Sequence, residues 1–251
     1  MTSLADEEDS ITPNPLDSVP PLTTGVLTDE TEKVPALKLI ADSIAQQRQL
    51  ASRAILFHPI TIAAYIGLLA VTTQLLYKTR ADLGVLFTTV AGVTMACLVG
   101  VRSATAGYIT LAEDMSWKYL QNEDGSEDII IGSRYGEDVI GALILRLERG
   151  CQSPSKRKAK NKSGGKGVVR AWTTKMRYRG TGIGTDLLQE AVRVTREKLG
   201  NSAEIGFAAE HANSKMVLPE TFNSGFRQRE RKAAKALETI VEGDFGGKRK
   251  R

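Results

Sequence analysis

The sequence predicts a mixed α/β domain preceded by a two-helix transmembrane hairpin. Three observations lead there. Two uncharged apolar runs, 59–77 and 83–101, are separated only by Lys78-Thr79-Arg80-Ala81-Asp82. Short Ile-, Val- and Leu-rich runs bounded by turn residues follow at 129–148 and 168–174. The second of these leads into a glycine-rich loop and then a helical apolar pattern, the order strand, loop, helix.

Composition bounds the reading. The chain has 251 residues, with 34 Lys and Arg against 29 Asp and Glu. Its cysteines, Cys97 and Cys151, form neither a disulfide framework nor a zinc pattern, so no metal site is expected. Charge is strongly segregated. Residues 1–33 hold eight acids and one lysine, whereas 149–185 hold no acid at all.

Residues 1–35 are rich in Pro, Ser, Thr and acids, and read as a disordered acidic tail. They are not a signal peptide, because they start acidic and lack an apolar core. From 36 to 58, Leu37, Leu39, Ile40, Ile44, Leu50 and Ile55 recur near helical spacing, giving an amphipathic helix that leads into the first apolar run. A bilayer core needs about 20 apolar residues as a helix, so each run suffices. The short joint forces an antiparallel hairpin. Tyr65, Tyr77, Arg53, Arg80 and Arg102 suit the interfaces. His58, next to Pro59, reads as a capping or interfacial residue. The anchor segment thus spans 36–103, and the charge bias leans towards cytosolic termini.

Residues 103–122 read as a helix. Two strands follow, turning at Gly136-Glu137-Asp138. Residues 149–167 form a lysine-rich, Gly/Ser-rich loop expected to be mobile. Its lysines read as a solvated loop or as contacts to anionic lipid. No aromatic platform accompanies them, so nucleic acid is not an expected partner. A strand at 168–174, a helix at 185–199 and a strand at 203–210 complete the pattern, with a short helix or turn at 213–226. Residues 227–243 carry helical spacing, and 243–251 form a basic tail.

The loop itself is Arg179-Gly180-Thr181-Gly182-Ile183-Gly184-Thr185. Glycines let backbone N–H groups approach an anion, and the helix start adds its positive dipole end. A P-loop would require Gly-Lys-Ser/Thr, but Gly184 is followed by Thr185 and Asp186. A G-x-G-x-x-G dinucleotide loop would require glycine at 185 or 187, where Thr185 and Leu187 stand.

What fits is Arg/Gln-x-x-G-x-G/A. The stretch resembles the pyrophosphate loop of the GNAT superfamily of N-acetyltransferases. Residues 213–226 resemble that family's next motif through Asn213, Leu218, Gly225 and Phe226. The resemblance covers roughly 104–230 and is similar to the membrane-anchored type. It implies a GNAT-like domain over 104–242 that takes acetyl-CoA as cosubstrate. Thr173, Thr174, Arg179, Gly180, Thr181, Gly182, Ile183, Gly184, Thr185 and Asn213 are then the cofactor-binding residues. The oxyanion donor would be a backbone N–H of the strand ending at Trp172–Thr174. Glu210, with His211 assisting, is the expected general base, at the end of the strand beside the splayed pair. The chain departs from the family in three places. It shows no first strand before the hairpin. Thr221 stands where the family has a tyrosine. A helical pattern replaces two final strands.

The expected function is a membrane-anchored N-acetyltransferase acting on an amine acceptor, with membrane lipid as its other partner. The rivals are a non-catalytic membrane adaptor that keeps an acyl-CoA-binding or interaction fold, and a hairpin that shapes membranes. The terminal Lys248-Arg249-Lys250-Arg251 is similar to a dibasic retrieval signal, pointing to the endoplasmic reticulum.

Overall fold

A computed structural model describes residues 20–122, 124–149 and 165–248. The lysine cluster at 156–162 and the end of the basic tail, 249–251, lie outside the described residues, as does the tail before Pro20.

The chain opens with strand β1 (Leu22–Val26) and the long helix α1 (Glu30–Leu56). Helices α2 (Pro59–Leu76) and α3 (Leu83–Ala104) follow, then the short α4 (Gly107–Glu113) and α5 (Trp117–Leu120). Strands β2 (Ile129–Tyr135), β3 (Asp138–Glu148) and β4 (Lys166–Thr174) come next. Helix α6 (Ile183–Leu199), strand β5 (Glu204–Phe207) and helix α7 (Ser224–Lys248) end the described chain.

The five strands form one sheet in sequence order. Neighbours are antiparallel except β4 and β5, which run parallel. Alternation explains why the stretches 129–131 of β2 and 139–145 of β3 carry no polar side chain. Ile130, Ala142 and Ile144 face α1, while Ile131, Leu143 and Leu145 face α6. A strand covered on both faces has no polar side to show. Helix α6 buries Leu187, Leu188, Ala191, Val192 and Val194, and keeps Arg193, Glu197 and Lys198 outside. Each of the larger side chains contributes about 1.5–3 kcal/mol on burial.

Three expectations need correction. Residues 20–35 are not all tail: they supply β1 and the first turns of α1. Local composition cannot report this, because β1 is held by residues more than 100 positions away. It pairs from Leu22↔Tyr135 to Val26↔Ile131, and Thr24 Oγ1 lies 2.8 Å from Ser133 Oγ. Leu27 is buried against Gly132, where a Cβ would stand 2.7 Å from the leucine Cδ1. Ion pairs from Glu32 to Arg134 and from Lys33 to Glu127 fix the start of α1. The hairpin therefore does not precede the domain. It interrupts it, between α1 and α4, both of which pack on the same layer. The helix expected over 103–122 is likewise broken into α4 and α5 around Asp114–Ser116.

The hairpin has the expected antiparallel form. At 1.5 Å per residue its helices are about 27 and 33 Å long, close to a bilayer core of about 30 Å. No residue of either is buried. His58 caps α2, its Nδ1 accepting the Ile60 N–H at 3.3 Å. Asp82 closes the joint by accepting the Thr79 N–H at 2.8 Å. Tyr65, expected at an interface, instead meets Thr94 Oγ1 across the hairpin at 2.8 Å.

Candidate functional site

The site begins where β4 and β5 part. Their pairing runs only from Lys166↔Glu204 to Val169↔Phe207. Beyond it, Ala208 N–H donates to Val169 O at 2.9 Å and Ala212 N–H to Arg170 O at 2.7 Å, and the strands splay. A bulge marks the spot: Ile144 faces Ala171 and Leu145 faces Val169, leaving Arg170 extra. Bulges bend a strand and increase its twist.

Arg170 is locked in place. It pairs with the fully buried Asp128 carboxylate, donates to Tyr119 O at 2.7 Å and lies 4.1 Å over the Tyr119 ring. Arg146 Nε and Asn122 Nδ2 also reach Asp128, at 3.2 and 2.9 Å. Three donors, two of them arginines, make a buried carboxylate tolerable there. Tyr119 has its hydroxyl pKa raised by burial, with Arg170 opposing.

In the gap, Asn213 Nδ2 donates to Trp172 O at 3.1 Å. An extended residue points its N–H and C=O to the same edge. The Trp172 N–H therefore also faces the gap. This is the expected oxyanion donor region. The Asn213 oxygen accepts from Ser43 at 3.3 Å, and its carbonyl accepts from Gln47 at 3.2 Å. Asn213 thus ties the splayed strand to α1.

The glycine loop closes one end of the gap. Gly180 and Gly182 have φ of 86° and 99°, conformations that suit glycine and few others. Gly184 packs against Trp172, where a Cβ would lie 2.9 Å from the indole, and the indole N–H donates to Gly184 O at 3.0 Å. Among the described residues, no acceptor meets the N–H groups of Thr181, Gly182, Ile183 or Gly184. Gly182 is the N-cap of α6, so these donors gather at the positive end of a 17-residue helix. Arg179 folds back, donating to Thr174 O at 3.2 Å and to Gln46 Oε1 at 3.3 Å. Burial, then the neighbouring Arg229, lowers its pKa.

A cavity of about 590 Å³ joins these parts. It runs through the splay, with α1 on one side of the sheet and α7 on the other. Thr173, Thr174, Arg179, Gly180, Gly182, Gly184, Thr185, His211 and Asn213 all line it. Thr181 and Ile183 do not. Thr181 Oγ1 donates to Tyr178 O at 2.7 Å, and the Ile183 side chain is in the core.

The adjacent Glu210 and His211 separate. His211 is buried in the cavity wall beside Phe207, with ring centroids 5.5 Å apart. Its Nδ1 accepts the Asn213 N–H at 3.3 Å, so the proton of the neutral ring sits on Nε2. Burial lowers its pKa, and Glu230 acts in the opposite sense. Glu210 is exposed and faces a different hollow, beside Lys215 and Glu220. The strand ends at Phe207, three residues earlier than expected, and a turn carries Glu210 outward.

Sequence reasoning missed Ser43, Gln46 and Gln47 on α1, and Arg229 and Glu230 on α7, all in the cavity wall. The signal was present at Ser43, Gln46, Gln47 and Leu50. Their i, i+3, i+4, i+7 spacing is one helix stripe. Its meaning depends on α1 packing over the gap, which no local pattern reports.

Residues 101–217 match the model of the acetyltransferase (GNAT) family. No relative among curated proteins matches the chain. Among solved structures, an aminoglycoside acetyltransferase from an uncultured soil metagenomic sample, in complex with sisomicin, is 12% identical. It covers 49% of this chain and 64% of its own, with a TM-score of 0.31. Arabidopsis thaliana Naa50, in complex with a CoA bisubstrate analogue, is 24% identical over 31% of this chain and 44% of its own, with a TM-score of 0.24. A second soil-metagenome aminoglycoside acetyltransferase, HMB0005, is 10% identical over 76% and 80%, at 0.30. The chain thus spans about half the length of the first solved structures it matches.

Proposed function

Because residues 101–217 carry the acetyltransferase (GNAT) family pattern, we propose that the protein is an acetyl-CoA-dependent N-acetyltransferase held in a membrane by its hairpin. The supporting observation is the row of unpaired amides from Thr181 to Gly184, opening on a cavity that continues between splayed strands. Such a row offers a pyrophosphate several hydrogen bonds and a helix dipole at once. Trp172 and Thr174 would border the pantetheine arm, and the Trp172 N–H would face the thioester oxygen.

When bound, acetyl-CoA supplies the activated acetyl group. The chain's own part is to hold the amine and take its proton. His211 and Glu230 are the titratable groups with cavity positions suited to that task, in place of Glu210. Neutral His211, favoured by burial, carries its proton on Nε2 and is a hydrogen-bond donor there, which leaves Glu230 as the proton acceptor. A membrane with the domain on its cytosolic side is the proposed location, motivated by the two apolar helices and by the abundance of cytosolic acetyl-CoA.

The test is thermal unfolding of the full chain with and without acetyl-CoA. At 100 times its Kd a ligand stabilises by about 2.7 kcal/mol. That gain is expected for the parent chain and absent in Gly182→Asp, whose carboxylate would meet the pyrophosphate. Equal stabilisation of both would refute the loop assignment.

The missing tyrosine gives the adaptor reading its one observation. Thr221 lines the outer opening near Phe222 and not the main cavity, so its hydroxyl does not replace the family's acid there. Thiol release from acetyl-CoA with any amine excludes that reading.

A further inference from the structure

The main cavity has a neighbour at the level of the membrane. A second hollow of about 420 Å³ shares Leu50, Phe226 and Arg229 with it. Its outer wall is Phe57, His58 and Pro59. Those residues are the joint between α1 and α2, where the first apolar helix starts. Phe57 is 74% exposed, an aromatic side chain at the foot of a helix that has no buried residue. Phe222 lies on the other side, 4.8 Å from the His58 ring. An apolar-walled passage thus runs from the level of the helix foot to the splayed strands.

The charge of this passage is one-sided. Arg53 and Arg229 line it, and no acid does. Among the described residues, neither guanidinium group has a hydrogen bond or ion pair. Two unpaired guanidinium groups at an opening repel a simple long-chain amine and attract a phosphate. Further in, Glu230 and His211 stand in the main cavity, where an ammonium could lose its proton.

We infer that the acceptor is an amphiphile taken from the bilayer through this opening: an aminophospholipid, with its tail along Phe57 and Phe222, its phosphate at Arg53 and Arg229, and its amine in the main cavity. This rests on the acetyltransferase reading above and adds the substrate class. The ammonium loses a proton to Glu230, and its nitrogen attacks the thioester carbon of acetyl-CoA. The carbon–sulfur bond breaks, an amide forms, and CoA leaves as the thiol after taking up a proton.

The test uses the full chain in phosphatidylcholine nanodiscs with acetyl-CoA. Four acceptors are compared. They are lysophosphatidylethanolamine, phosphoethanolamine as the same headgroup without a tail, a long-chain alkylamine without phosphate, and lysophosphatidylcholine, which has no free amine. Lysophosphatidylethanolamine is expected to exceed both other amines in kcat/KM by about tenfold or more, and lysophosphatidylcholine to give nothing. Ala54 lines the opening and not the main cavity. Ala54→Trp and Arg53→Glu should each lower lipid turnover about tenfold while acetyl-CoA still raises Tm as in the parent. The retained stabilisation shows that the variants fold. Equal rates for lipid and free headgroup, a preference for the alkylamine, or lipid turnover untouched by both variants would overturn the passage. So would acetyl-CoA binding with no lipid acetylation. Loss of acetyl-CoA stabilisation in the parent is a different result, and refutes the acetyltransferase reading itself.

Discussion

Helices α1 and α2 are separated by only Phe57 and His58, yet they solve opposite problems. Helix α1 buries Leu37, Ile40 and Ile44 against the sheet and Ala51 against Tyr108 and Leu218, and keeps Lys38, Asp42 and Arg48 on its polar side. Helix α2 has no charged residue and buries nothing. The first is stabilised by packing within the chain. The second has no partner within the described chain except α3, so its apolar surface must be met by something else. A bilayer is the solvent that fits its length. The same helical geometry therefore serves as a wall of the site on one side of His58 and, in the proposed reading, as an anchor on the other. Proximity of the two is what puts a hollow between the site and the foot of the apolar hairpin.

The largest expected effect separates buried from exposed leucine. Leu187 is fully buried on α6, whereas Leu68 on α2 is 44% exposed. Leu187→Ala should destabilise the protein in detergent by about 2–5 kcal/mol, and Leu68→Ala by less than about 0.5 kcal/mol. Chemical denaturation followed by tryptophan fluorescence reads both. Similar losses would mean that α2 packs inside the protein and is no anchor.

A charge in the anchor comes next. Leu68→Arg places a cation near the middle of α2, at a cost of about 2.5–3.5 kcal/mol for insertion. Resistance to alkaline extraction from membranes should fall sharply. The equivalent change at an exposed site of α1, Asp42→Arg, should leave extraction unchanged. Full retention of Leu68→Arg in the membrane fraction would undo the hairpin reading.

The smallest effect is in pH. The apolar runs 59–77 and 83–101 contain no Asp, Glu, Lys, Arg or His, so acid sensitivity must come from the domain. Burial lowers the pKa of His211 below its value in the unfolded chain, about 6.5. The unfolded state then binds the proton more readily. The stability owed to neutral His211 is complete above about pH 6.5 and is lost as pH falls through the folded value. Tm measured from pH 8 to 5 should fall at the acid end, and His211→Gln should flatten that fall. An unchanged slope in His211→Gln would assign the acid sensitivity to other groups.

Local patterns were enough for the elements whose stability is local or periodic. The uncharged runs, the alternation in β2 and β3, the α6 stripe and the glycine loop each carry their signal within about 20 residues, because periodicity and turn chemistry are short-range properties. The loop's anion-binding character was legible for the same reason: Gly180, Gly182 and Gly184 fix their own backbone. Tertiary structure decided the rest. Strand β1 exists because β2 offers an edge more than 100 residues later. The place of the hairpin inside the domain follows from that pairing. The site's second half, Ser43 and Gln47 from α1 and Arg229 and Glu230 from α7, meets the loop only after two helices dock on opposite faces of a sheet that splays at Arg170. Glu210 and His211 are neighbours in sequence, and a turn sends one to solvent and the other into the cavity. Sequence fixes which chemistry a residue can perform; the direction of its side chain is set by contacts with residues far along the chain, which no local pattern contains.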